Sequence, residues 1–438
     1  MTKPPLDVEG LIGHAAADRR AMNRRRARAA LGVSFGVLVV WAAAVTATGQ
    51  WGRVTDNWVA AVTMVFGSFV AGSTPQGGGA VAFPVFTKLL EVPTEVARSF
   101  SLFVQSVGMA CASLSIIINR RAVEWRSIAV GALFAAIGFL IGLFALGDPD
   151  APFWPSTLES AYVKVTFTLI VVAMAFVVWL NYRQQIIERI NRVQTYSVRI
   201  YAALAVFGLL GGVASSLVGS GADVLVYIVL VILIGIVPRV GVPSSVIIMA
   251  FTSLLGLIVL GIVDGQIMIG LNAAGDVTTL GGAEVGVGPS GAAAFGEGLP
   301  PLEGSRFDLL GLWLAAAPIV AFGAPLGAYV SSKITDRQLV VFVLALAAAE
   351  ALSTMLFLED LRTDPVLAAY AVLGLIAIVV TLTTLVRFRR RILGLGNMDM
   401  DETFTRTRLD VGPRYREQLE QHMRETEERT RPPGEDGE

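Results

Sequence analysis

The sequence predicts an all-α polytopic membrane protein, and three observations carry that prediction. Hydrophobic residues make up 54% of the 438 residues and charged residues only 16%, against about 25% charged in a soluble domain. Mean hydropathy is +0.66. Apolar runs of bilayer-spanning length recur from Leu31 to Phe388, and a water-soluble domain has no use for repeated runs of about 20 such residues. The runs do not alternate apolar and polar residues, which argues against strands and a barrel.

Residues 1–30 are polar and carry Arg19, Arg20, Arg24, Arg25, Arg26 and Arg28 just before the first run. Thirty residues ahead of the apolar stretch, with no clear A-x-A site after it, disfavour a cleaved signal peptide. The positive-inside rule assigns this segment to the cytoplasm. The apolar segments are 31–49, 58–72, 79–90, 99–118, 127–147, 160–182, 200–218, 221–237, 244–263, 307–332, 338–358 and 365–387. Residues 31–198 form a first transmembrane half and 199–387 a second. Arg387, Arg389, Arg390 and Arg391 follow the last run, and residues 388–438 form a charged tail on the cytoplasmic side. Its stretch 413–430 is a solvated tail by composition.

Two pairs of segments are broken rather than joined by ordinary loops. Segments 58–72 and 79–90 flank Gly72-Ser73-Thr74-Pro75-Gln76-Gly77-Gly78-Gly79, and segments 200–218 and 221–237 flank Gly219-Ser220-Gly221. Glycine and proline end a helix there, and the freed amides and carbonyls need partners. Arg120, Arg121 and Arg126 put the 119–126 loop inside; Asp148, Asp150 and Glu159 put 148–159 outside; Arg183, Arg189, Arg192 and Arg199 put 183–199 inside. The loop 264–306 holds Asp264, Asp276, Glu284, Glu297 and Glu303 against Arg306 alone, so it is placed outside. Span 58–90 then starts and ends outside, and 200–237 starts and ends inside. At 33 residues, span 58–90 is too short for two crossings of about 20 residues each. Val92-Pro93-Thr94-Glu95-Val96 follows the first break and Val242-Pro243-Ser244-Ser245-Val246 the second. Opposite entry sides and matched order form the pattern of inverted-topology repeats in secondary transporters.

Composition excludes several chemistries. Net charge is −1, which gives no nucleic-acid partner. Cys111 is the lone cysteine, so no intrachain disulfide or Cys-rich metal site forms. The two histidines, His14 and His422, lie outside the apolar runs, so histidine-based metal, haem or acyl-transfer chemistry in the membrane is excluded. No cofactor is expected. No P-loop motif occurs, so the chain does not itself use ATP.

The breaks suit a small anion. Helix-terminal amides and their dipole favour negative charge, and Gly77, Gly78 and Gly79 let an oxyanion approach the backbone. Gln76, Ser101, Gln105, Ser220, Gly221, Thr252 and Ser253 complete the candidate shell with neutral groups. A Cβ at Gly78 is expected to obstruct that approach, whereas one at Gly36 in the first run is not. For each there is a plainer use: glycine for close helix packing, serine and threonine for bonds to their own helix. Among intramembrane acids, Asp223 follows the second break and is the candidate coupling residue, for a proton or a cation; Glu350 is less well placed. Arg98 and Arg239 flank the two V-P elements as anchors or vestibule charges.

At these residues the sequence resembles the sulfite exporter family TauE/SafE, a group of anion permeases. The first-half pattern is Gly72, then Gly77-Gly78-Gly79 and Pro84, with Pro93, Ala97 and Ser101 after it. The second-half pattern is Gly208–Gly212, Gly219-Ser220-Gly221, Pro243, Thr252 and Ser253, and the resemblance spans roughly 58–387. It implies a multi-pass protein of the cytoplasmic (inner) membrane with both termini cytoplasmic. It implies a non-enzymatic secondary transporter of a small sulfur-containing anion (sulfite, thiosulfate or an organosulfonate), coupled to a proton or sodium. The alternatives are a passive anion channel and an intramembrane enzyme. For the last, Gly219–Asp223 lacks the spacing of a G-x-G-D protease motif and no second motif aspartate occurs.

Overall fold

The structure is a computed structural model that describes residues 8–90, 92, 94–145, 159–183, 196–263, 269–271, 277–279 and 309–393. Of the two compact units in the chain, residues 30–394 form the one that carries both helix breaks. The helices run in the order α1 (Val8–Ala47), α2 (Trp51–Asp56), α3 (Trp58–Ser73), α4 (Gly79–Pro84), α5 (Thr94–Ile118), α6 (Trp125–Ala145), α7 (Ser160–Arg183), α8 (Val198–Val218), α9 (Ala222–Ile228), α10 (Pro238–Gly256), α11 (Leu309–Ser331), α12 (Asp336–Phe357), α13 (Asp360–Thr363) and α14 (Pro365–Leu393). Wide π-helical turns extend α4 over Val85–Leu89, α9 over Val229–Ile234 and α10 over Leu257–Val263.

Among the described residues, nine helices are long and apolar enough to cross a membrane. The protein is therefore an all-α polytopic membrane protein, apart from two three-residue antiparallel strands, β1 (Ile269–Leu271) and β2 (Val277–Thr279). The remainder of the 264–306 loop, most of 148–159 and 183–199, and the tail beyond residue 393 lie outside the described residues.

Local sequence explains the helix ends. Ser197 caps α8 by accepting the amide of Ile200, and Gly219 ends it in the left-handed conformation at φ 75°, where a side chain would be strained. Thr335 and Gln338 form a reciprocal capping box on α12. Pro238 opens α10, where a missing N–H costs nothing. The two shorter apolar helices are those at the breaks. At 16 residues, α3 is only about 24 Å long, short of the roughly 30 Å hydrocarbon core.

Small residues bring the helices together. A Cβ on Gly138 or Gly212 would collide with the backbone of the facing helix, at Leu209 and Ala135 respectively, so α6 and α8 pack backbone to backbone. The α3–α11 pair repeats the device: Gly72 faces Ala324, Gly327 faces Phe69 and Gly323 faces Ser68. In lipid, such close approach supplies the dispersion energy that hydrophobicity does not. Gly72, Gly208 and Gly212 are thus packing residues, although they stand within the break signatures. Outside the spans, Tyr196 donates to Glu124 Oε2 at 2.8 Å and pairs with Ser127 at 2.8 Å. Burial pushes its hydroxyl above the usual tyrosine range, so it remains a neutral donor tying the start of α8 to α6.

Candidate functional site

The first break begins where Pro75 forces the residue before it out of the helix. Thr74 is extended, at φ −127° and ψ 158°. Its hydroxyl donates to Val70 O at 3.0 Å and accepts the Gln76 amide at 3.4 Å. Gly77 then turns the chain at φ 68°, and Gly78 caps α4. The amides of Gly77, Gly78 and Gly79 stand in the turn and at the start of α4, where the first amides of a helix have no partner within it. The Gln76 side chain is buried, and neither its Nε2 nor its Oε1 has a partner.

The second break is tighter and carries a carboxylate. Gly219 and Gly221 adopt φ 75° and 143°, and the second value is open only to glycine. Asp223 sits in the first turn of α9, fully buried. Its Oδ1 accepts the amides of Val224 at 2.9 Å and Gly221 at 3.3 Å. Its Oδ2 has no partner.

These breaks touch. Ser220 Oγ donates to Gln76 O at 3.1 Å. From α5, Gln105 Nε2 donates to Gly219 O at 2.9 Å, Ser101 Oγ at 2.9 Å and Ser101 O at 3.0 Å. Gln105 Oε1 is left without a partner. A Cβ placed on Gly77 would stand 2.5 Å from Gln105 Oε1 and 3.0 Å from Asp223 Oδ2. One on Gly79 would meet Ser101 Oγ at 2.9 Å and Ser220 Cβ at 3.0 Å. Gln76, Gly77, Gly79, Ser101, Gln105, Ser220, Gly221 and Asp223 therefore belong to one buried junction of both halves of the chain.

Four expectations change. Gly78 has a helical backbone (φ −69°) and room for a Cβ, its nearest neighbours being Ala71 Cβ at 3.4 Å and Met64 Cε at 3.5 Å. The glycines that need to be glycine are Gly77 and Gly79. Thr252 and Ser253 spend their hydroxyls on their own helix, at Ile248 O and Ala250 O, both 3.1 Å. Gln105 and Ser101 likewise have their donors taken by Gly219 and α5 itself, so Gln105 presents an acceptor, not a donor. Arg98 is fully buried on α5 and donates to Ser216 O at 3.3 Å; it is neither an interfacial anchor nor a vestibule charge. Arg239 at the start of α10 is exposed.

A second charged cluster lies apart from the breaks. Lys88 forms a buried ion pair with Glu350 and donates to Thr354 Oγ1 at 2.7 Å. Thr168 on α7 donates to the same Glu350 Oε1 at 2.8 Å. The pair ties the end of the first broken hairpin to α7 and α12. Sequence reading missed Lys88 because it stands near the end of a short run, although a lysine and a glutamate in separate apolar runs is itself the signal for such a pair.

Among the described residues no group of three or more His, Cys, Asp or Glu side chains could hold a metal ion. A family model described as Sulfite exporter TauE/SafE matches residues 59–354, which include both breaks, α5, α10 and Glu350. No curated protein and no solved structure matches the chain.

Proposed function

The chain belongs to the sulfite exporter TauE/SafE family, and from that premise we propose that it exports a small sulfur-containing anion, sulfite or an organosulfonate, by secondary transport across the cytoplasmic membrane. Both termini face the cytoplasm, as the arginine clusters argue. The anion sits near the bilayer midplane at the junction of the breaks. The observation that carries this reading is the buried Gln76 side-chain amide, which has no partner, beside the Gly77, Gly78 and Gly79 amides at the start of α4, where the first amides of a helix have no partner within it. An oxyanion accepts such donors through several oxygens, and the dipole of the helix beginning at Gly79 adds to the attraction. No fixed side-chain cation is required, which suits a ligand that must also be released. Asp223 is the coupling group, because it is the acid of the junction and the burial of an ionised carboxylate there is costly. Substrate passes through unchanged, so the chain is a carrier and not an enzyme.

The test is sulfite, thiosulfate and isethionate flux in liposomes containing the purified protein. Gradient-driven accumulation of at least one of them is expected. Flux that only ever runs down the anion's own gradient would replace the transporter with a channel, and no flux of any would reject the substrate class.

A further inference from the structure

We propose that the coupled ion is a proton held between the two halves of the chain, carried on Asp223 Oδ2 and shared with Gln105 Oε1. This deepens the coupling role of Asp223 and rests on that assignment.

The orientation of the Gln105 amide is fixed. Its Nε2 meets two backbone carbonyls, Gly219 O at 2.9 Å and Ser101 O at 3.0 Å. Carbonyls only accept, so flipping the amide would set oxygen against oxygen twice. Oε1 is therefore pinned on the opposite side, beside Gly77. Asp223 is fixed in the same way: the Val224 and Gly221 amides engage Oδ1, which leaves Oδ2 turned toward Gly77. Both free oxygens lie within 3.0 Å of the same point, the position a Gly77 side chain would take. Both are buried and neither has a donor.

Two acceptor oxygens gathered out of water with no hydrogen between them are mutually unfavourable. A hydrogen atom or a cation resolves the conflict. Gly219 O and Ser101 O already accept from Gln105 and Gln76 O accepts from Ser220, and Gln76 Oε1 is the other unpaired oxygen of the junction. So few unpaired oxygens are short of the roughly six or more that replace the hydration shell of a divalent cation, whereas one O–H···O bond needs only two. Among the described residues the groups that act on the Asp223 carboxylate are backbone amides, Val224 and Gly221, and Arg98 on α5 donates from one guanidinium nitrogen to Ser216 O. Protonation therefore forms one hydrogen bond, from Asp223 on α9 to Gln105 on α5, across the turn of the first break. Its loss leaves a carboxylate facing a carbonyl oxygen and drives the breaks apart. The proton thus fastens the junction at which the anion binds.

The experiment is infrared difference spectroscopy of the purified protein in sodium-free liposomes, titrated from acid to alkaline pH without any anion substrate. A protonated-carboxyl C=O band is expected that disappears as pH rises, is absent in Asp223→Asn, and moves to the frequency of a carboxyl lacking its hydrogen bond in Gln105→Leu. Addition of sodium at constant pH should leave it unchanged. In Asp223→Asn the amide supplies the missing hydrogen to Gln105 Oε1 but cannot titrate, so pH-driven accumulation should fall about tenfold. Absence of the band at every pH in folded wild-type protein overturns the proposal. So does a band that Gln105→Leu does not move, or one that sodium titrates away. These spectra involve no anion and no gradient, so a chain that carries no sulfite still passes or fails here independently.

Discussion

The two breaks share an element order, helix, glycine turn, short helix with a π-helical extension, long helix, yet their chemistry is opposite. The first presents donors: the glycine amides at the start of α4 and the unpaired Gln76 side-chain amide. The second satisfies its amides internally, with Asp223 Oδ1 and Ser215 Oγ as acceptors, and leaves an acidic oxygen free. Helix N-termini attract anions by default, and a built-in carboxylate cancels that at the second break. Two similar backbone devices thus present one positive and one negative face at a single junction. In the proposed function that asymmetry gives the anion and the coupled proton separate groups.

Gly77 carries the largest expected effect. Gly77→Ala is strained at φ 68° and drives a methyl into Gln105 Oε1. It should reduce substrate binding on the order of a hundredfold, measured by flux or calorimetry with expression preserved; normal binding would remove the first break from the anion site. Next comes the anchoring of the hairpins. The far end of the first is held by Lys88–Glu350, while the extension of the second, Val229–Ile234, is wholly buried and apolar. Lys88→Met leaves the Glu350 charge unpaired in the interior and should cost about 3–5 kcal/mol of stability, whereas Ile232→Val should cost only about 0.5–1.5 kcal/mol. Thermal unfolding in detergent compares them, and a Lys88→Met protein as stable as Ile232→Val would show that the pair is not an anchor. Gln76→Leu removes one neutral donor and should weaken anion binding roughly tenfold while leaving the proton-linked band intact; loss of both together would mean that the two faces are not separate. The smallest effect belongs to Gly78→Ala, with ordinary contacts and a helical backbone. Binding should stay within about twofold of wild type, as for Gly36→Ala, where no atom lies within 4 Å of the added methyl.

The fold class, the spanning segments and the places where helices break were legible in the sequence. Hydropathy, glycine and proline act locally: an apolar run of given length, a Pro75 or a Gly219 constrains its own neighbourhood whatever surrounds it. Which glycine must remain glycine was not legible. In the run Gly77-Gly78-Gly79 the residues are identical, and only the positive φ of the first and the Ser101 and Ser220 contacts of the third distinguish them from Gly78. The polarity of Gln105 was hidden for the same reason. An amide offers a donor and an acceptor, and the carbonyls of Ser101 and Gly219, the second of them 114 residues away in sequence, decide which one is left over. Thr252 and Ser253 resolved toward their own helix, as hydroxyls in lipid do when no stronger partner arrives. Charge pairing was also a matter of tertiary structure: Lys88 and Glu350 are 262 residues apart, and in an apolar interior neither is tolerable without the other. Sequence determined where the backbone would be freed; packing between the two halves determined which polar groups at the breaks, Gln76, Gln105 Oε1 and Asp223 Oδ2, stay unpaired.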